Sequence, residues 1–110
     1  MQNQYHVLLI EHDPDDAELI CKEIAEASPA NFRLTHVNRF AKAQSILDGD
    51  GIDAVLMNLQ IPDGDGLDSV AELTVHAPHV PVIIVTDIPD ETIGMKAIKC
   101  GAQDYLIKEK

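Results

Sequence analysis

The sequence predicts a doubly wound α/β domain, a parallel five-stranded sheet with helices on both faces. Short, wholly apolar runs recur at 7–10, 54–57 and 82–85, the pattern of strands buried on both sides. Segments with helical period lie between them, and strand and helix alternate strictly along the chain. That alternation calls for parallel pairing through right-handed crossovers.

Taken in order, the first strand is 7–10. Asp13 then stands as a candidate N-cap with Pro14 at the first helical position, and Ala17, Ile20, Ile24 and Ala27 share one helical face. The stretch 32–37 alternates polar and apolar residues and reads as a flanking strand. Phe40, Ala43 and Leu47 mark a second helix after Asn38, and 54–57 is the third strand. Leu67, Val70 and Leu73 follow Gly66 as the third helix, and 82–85 is the fourth strand. Ile93, Ala97 and Cys100 follow Asp90 and stop at Gly101, a residue suited to a left-handed helix terminus. The short apolar run 105–107 closes the pattern as a second flanking strand.

At 110 residues and 12.0 kDa the chain, 1–110, fits one domain able to bury a core without staples. Hydrophobic residues at 45% and charged residues at 25% exclude disorder and disulfide scaffolds. Eight basic against nineteen acidic residues give a net charge of -11, which repels nucleic-acid phosphates and anionic membranes. Cys21 and Cys100 fall in predicted helices without ligand spacing and read as buried free thiols. His6, His36, His76 and His79 show no ligand spacing either and are assigned to surface or loop positions. With no signal peptide or membrane span, a cytoplasmic location is expected.

In doubly wound sheets ligands gather at the carboxyl ends of the strands. The loops there hold Glu11, Asp13, Asp15, Asp16 and Glu18, then Asp63, Asp65 and Asp68, then Asp87, Asp90 and Glu91, which is eleven of the nineteen acids. Many can serve as ordinary caps at helix starts. Glu11 is the exception, because it directly follows a buried strand.

These residues carry a family resemblance over essentially the whole chain. The acidic cluster IEHDP after the first strand, VLMNLQIPDGDGLD around the third, Thr86 ending the fourth and GAQDYLIK at the end resemble the receiver domains of two-component response regulators. The style of LQIPDGDGLD and GAQDYLIKEK is most similar to receivers attached to sensory-box, histidine kinase or diguanylate cyclase modules. The resemblance implies a flavodoxin-like strand order 2-1-3-4-5. It also implies a phosphorelay in which a kinase histidine passes a phosphoryl group to an aspartate at the end of the third strand, with Mg²⁺ held by nearby acids. Carried over by motif, the phosphoacceptor position falls on Asn58, the acidic pair on Glu11 and His12, and the carbonyl metal ligand on Gln60. Thr86, Tyr105 and Lys108 occupy the positions that report the phosphoryl group.

Two of the acids are therefore missing. The amide of Asn58 is neutral and its lone pairs are delocalised, so it should not form an acyl phosphate. Mg²⁺ should bind weakly if at all, since only Glu11 remains of the three acids. Asp13 or Asp87 could replace part of the set, and His12 beside Glu11 better suits a borderline metal such as Zn²⁺ or Ni²⁺. Asp87 stands where the family carries a small residue, so it either repels an anionic donor or simply caps the next helix start or faces solvent. Lys108, without its aspartate partner, is expected to turn to Glu11 or to the carbonyl oxygen of Asn58.

The resulting expectation is a pseudo-receiver, not an enzyme, that works through a protein partner, an attached output or kinase module, or a second copy of itself. The resemblance implies that the face formed by the helix over 90–100 and the strand around Tyr105 would carry the contact, since that face transmits output in the family. The alternative is a phosphoaccepting receiver that uses Asp13 or Asp87, or one in which Asn58 replaces a native aspartate. A small-ligand or metal-binding role for the acidic pocket is a third reading. The sequence closes at Glu109 and Lys110, before the fifth helix of the family. The chain is thus expected to be the amino-terminal part of something longer, with apolar surface left beside the first and fifth strands.

Overall fold

A computed structural model of the chain describes residues 5–27, 32–49, 51–61, 63, 66–86 and 91–107. The elements are β1 (Tyr5–Ile10), α1 (Pro14–Ala27), β2 (Phe32–Val37), α2 (Phe40–Gly49), β3 (Ala54–Met57), α3 (Leu67–His76), β4 (Val82–Thr86), α4 (Glu91–Lys99) and β5 (Asp104–Ile107). The five strands form one parallel sheet in the order β2-β1-β3-β4-β5, the order expected. β1 begins two residues before its apolar run. Tyr5 pairs with Phe32, the two rings 6.0 Å apart, and the polar His6 between Tyr5 and Val7 hides this extension from an apolar pattern.

Side chains alternate across a strand, so each strand feeds two layers. Leu8, Ile10, Val55, Met57, Val82 and Ile84 point to one face and are almost wholly buried, in a cluster with Phe40 and Ala43 of α2, Val70 and Leu73 of α3 and Ala97 of α4. Full burial of such a Leu, Ile or Val contributes roughly 1.5–3 kcal/mol, which makes this the dominant core. Helix α1 covers the start of the opposite face. Beyond it lies an apolar groove of about 280 Å³ lined by Val7, Ile24, Phe32, Ala54, Leu56 and Ile83. Leu106, opposite Val85 on the sheet, is 53% exposed.

The helix starts differ in how they are capped. Asp13 caps α1 as expected, its Oδ1 accepting the amides of Asp15 at 2.9 Å and Asp16 at 3.4 Å. For α2 the cap comes from elsewhere in the chain. Asp63 accepts the Phe40 amide at 2.7 Å and the Ala41 amide at 3.1 Å, while the Asn38 side chain accepts from Lys42 Nζ at 3.3 Å. Gly101, at φ 113°, ends the α4 turn where a Cβ would also press on the Thr74 side chain at 2.7 Å, so both backbone and space select glycine.

Two expectations are corrected. His6 is buried, not at the surface, because β2 supplies a polar partner: its Nε2 lies 2.6 Å from Thr35 Oγ1. Its backbone amide also donates to Asp53 Oδ2 at 2.8 Å. Cys21, in α1, and Cys100, just after α4 and packed against the main core, are free thiols but only half-buried. Burial still pushes the Cys21 thiol up from its ordinary value, against a smaller opposing backbone hydrogen bond.

Candidate functional site

Because Ile10 and Met57 are partners across β1 and β3, the residues that follow them emerge side by side at the carboxyl edge of the sheet. The Glu11 amide donates to Val37 O and the Asn58 amide to Ile10 O, both at 3.0 Å, extending the ladders by one step. Both side chains are enclosed: Glu11 is 0% and Asn58 4% exposed.

The two side chains bind each other. Asn58 Nδ2 donates to Glu11 Oε1 at 3.1 Å and to Oε2 at 3.0 Å. On its other side Asn58 Oδ1 accepts the Gln60 backbone amide at 3.0 Å. A backbone N–H only donates and a carboxylate only accepts, so these neighbours leave one orientation for the amide. Asp13 adds its amide to Glu11 Oε2 at 3.3 Å, and His36 Nε2 lies 2.7 Å from the Glu11 carbonyl oxygen. Hydrogen bonds to an ionised group are about twice as strong as neutral ones, which suits a carboxylate held away from water.

Not every expected residue joins this pair. His12 is exposed at the rim, its Nδ1 3.8 Å from Glu11 Oε2. The Asp13 carboxylate is turned to the start of α1, where it acts as a cap. Gln60 is exposed and reaches the pair through its amide. Thr86 is buried at the end of β4. Tyr105 lies opposite Ile84, half-buried, with its ring over Gly94 of α4, where a Cβ would overlap it. Asp87 and Lys108 lie outside the described residues.

Among the described residues the arrangement does not fit Mg²⁺. A small hard cation wants oxygen ligands with one or two carboxylates free to coordinate it. Here both oxygens of the central carboxylate face an NH₂ group, whose hydrogens occupy the side a cation would use. Among the described residues no group of three or more His, Cys, Asp or Glu is placed to hold a metal ion.

Residues 7–110 match the family described as response regulator receiver domain. The chain belongs to that family. Along 94% of its length it is 30% identical to the swarming motility regulation protein RssB of Serratia marcescens, covering 46% of that protein. It is 31% identical to the transcriptional regulatory protein MalR of Bacillus subtilis over a similar stretch, covering 43% of it. The chain thus spans less than half the length of these relatives. Among solved structures it resembles the phosphorylated cyanobacterial phytochrome response regulator RcpA at a TM-score of 0.84 and 20% identity, covering 96% of this chain and 81% of that one. It resembles the Mn²⁺-bound response regulator Rcp1 at 0.80 and 22%, covering 96% and 82%. At such identities these likenesses speak for the fold. Receiver domains are signalling domains of two-component systems and in general bind Mg²⁺ at the phosphorylation site.

Two contributing residues escape a reading of the sequence. Asp63 is visible as one acid among several, but nothing in its spacing shows that it reaches Phe40. Its carboxyl is held below the usual range by the hydrogen bonds from Phe40 and Ala41, with a smaller contribution from Arg39. His36 alternates onto one face of β2, yet its partner is the backbone of another strand's end.

Proposed function

We propose that this chain is a pseudo-receiver: a single receiver domain that does not form an aspartyl phosphate at position 58 and signals through protein contacts. One observation carries the reading. The neutral Asn58 amide donates to both oxygens of the buried Glu11 carboxylate, so the position of the phosphoacceptor is occupied by a group that has no nucleophilic carboxylate and a committed hydrogen-bond set. Without a phosphoryl ligand that binds one state better than the other, the pocket has no means of shifting a conformational equilibrium.

The contact face on this reading is that of α4 and β5. Met95 (52%) and Ile98 (37%) are exposed on α4 beside Lys96 and Lys99, and Ile107 (41%) is exposed on β5, on the same side of the sheet as Tyr105. Apolar side chains rimmed by lysines suit a protein partner, an attached output or kinase module, or a second copy. The apolar groove beside α1 is where a fifth helix of a longer, cytoplasmic protein would lie. Among the described residues no helix is long and apolar enough to cross a membrane.

The test is intact mass after incubation with acetyl phosphate and Mg²⁺. The chain should gain no phosphoryl group. A hydroxylamine-labile gain of one phosphoryl group would overturn the reading and point to Asp13 or Asp87 as acceptor. Substitution of Lys96, Lys99 and Tyr105 should weaken partner capture, and unchanged contacts would remove α4 and β5 as the contact face.

A further inference from the structure

We propose that Asp63 is a positioning residue that ties the Asn58 turn to the start of α2, so that the two behave as one mechanical unit. The first turn of a helix leaves amides without intrahelical partners, and these are normally met by the residue just before the helix. In α2 that residue is Arg39, whose side chain has no acceptor, and the side-chain oxygen of Asn38, Oδ1, is engaged by Lys42 Nζ. The cap is supplied instead from more than twenty residues away, by the Asp63 carboxylate on Phe40 and Ala41. Its negative charge is well placed against the positive end of the helix dipole, and the depressed pKa of Asp63 agrees with that geometry.

At the other end of the link the chain from the Asn58 turn to Asp63 is short. Asn58 is held by Glu11 and by the Gln60 amide, and Leu59 and Ile61 are buried in the main core. Asp63 follows only two residues after Ile61. A shift of the Asn58 turn therefore has little slack before it pulls on the α2 amides, and release of α2 removes a restraint from the turn. The inference does not depend on whether Asn58 is reactive, because the Asp63 contacts involve neither Asn58 nor Glu11.

Amide hydrogen exchange on the intact chain tests it, reading Phe40 and Ala41 at the helix start, Gln60 in the turn, and Leu8 and Val55 as core references. In Asp63→Ala the amides of Phe40, Ala41 and Gln60 should all exchange faster relative to the references, by roughly two- to thirty-fold, the range that loss of a helix cap produces. Asp63→Asn keeps an acceptor and should restore part of the protection at all three. Thr74→Ala is the remote control, since it removes a hydroxyl bonded to Ala71 O and Cys100 O far along α3, and should leave the relative rates unchanged. Acceleration at Phe40 and Ala41 with Gln60 unaltered would reduce Asp63 to a cap and overturn the proposal. So would equal acceleration of Gln60 in Thr74→Ala. If Asp63→Ala does not fold, the comparison of Asp63→Asn with the parent decides by the same criterion.

Discussion

Replacing Asn58 by aspartate would put a carboxylate oxygen where an amide nitrogen now lies 3.0 and 3.1 Å from the two oxygens of Glu11. Two unit charges about 3 Å apart repel by about 5–6 kcal/mol at an effective dielectric constant of ~20. The pair can escape by taking up one proton, which costs about 1.4 kcal/mol per pH unit above the carboxylate range, or about 4 kcal/mol at pH 7. The cheaper route sets the limit. Asn58→Asp should therefore lose about 2–4 kcal/mol at pH 7 without divalent cation, and about 1 kcal/mol near pH 5, where protonation is easier. For a domain of this size that is a fall in Tm of roughly 10–25 °C at pH 7. Urea denaturation at the two pH values, with and without Mg²⁺ in the millimolar range, measures it. Mg²⁺ should restore stability to Asn58→Asp and leave the parent unchanged, and adding Glu11→Gln to Asn58→Asp should recover much of the loss as a coupling term in a double-mutant cycle. If Asn58→Asp matches the parent at pH 7 in the absence of cation, the contact between these two side chains is not what holds the site.

Three further outcomes follow from contacts elsewhere. Gly94→Ala should drive the Tyr105 ring away from α4, seen as greater quenching of its fluorescence by acrylamide or a lost ring-current shift on α4; an unmoved ring would show that α4 itself yields. Because the folded pKa of Asp63 is depressed, its contribution is present above the ordinary aspartate pKa of about 3.9 and is lost as pH falls through the lower folded value. The stability gap between the parent and Asp63→Ala should accordingly be constant from pH 7 to 5 and close in strong acid; a gap that grows on acidification would contradict the assignment. The raised pKa of Cys21 should make its alkylation by iodoacetamide at pH 8 slower than that of an unfolded control peptide, and equal rates would show that the thiol is open to water.

What could be read from the sequence is what local patterns record. The apolar runs became β1, β3 and β4, and the Asp13-Pro14 signal became the start of α1, because burial on two faces and capping both leave their marks within a few residues. Glu11 could be singled out because a charge directly after a buried strand has no local use. Contacts made across the fold left no such mark. The capping of α2 by Asp63, the Thr35 partner that lets His6 be buried, and the His36 bond to the Glu11 carbonyl oxygen depend on register between segments distant in the chain. The link between Asn58 and Glu11 was half legible. The family motif placed the two positions together, but only the pairing of β1 with β3 shows that the amide and the carboxylate satisfy one another.

That mutual satisfaction bears on how such a domain can be regulated. In a receiver with its full set of acids, like charges crowd one pocket and a divalent cation relieves them, so the pocket is poised to respond to what binds. Here, among the described residues, the centre of the site holds the Glu11 carboxylate and a neutral amide whose hydrogen bonds are already made. A ligand shifts an equilibrium only by its differential affinity for two states, and on the pseudo-receiver reading this pocket offers the phosphoryl group none. On that reading the conformation of the α4 and β5 face is set by packing, in which Gly94 leaves room for the Tyr105 ring. Control would have to enter through surfaces rather than through the site, by a partner that grips the α4 and β5 face or one that pulls on α2 and, through Asp63, on the turn that carries Asn58.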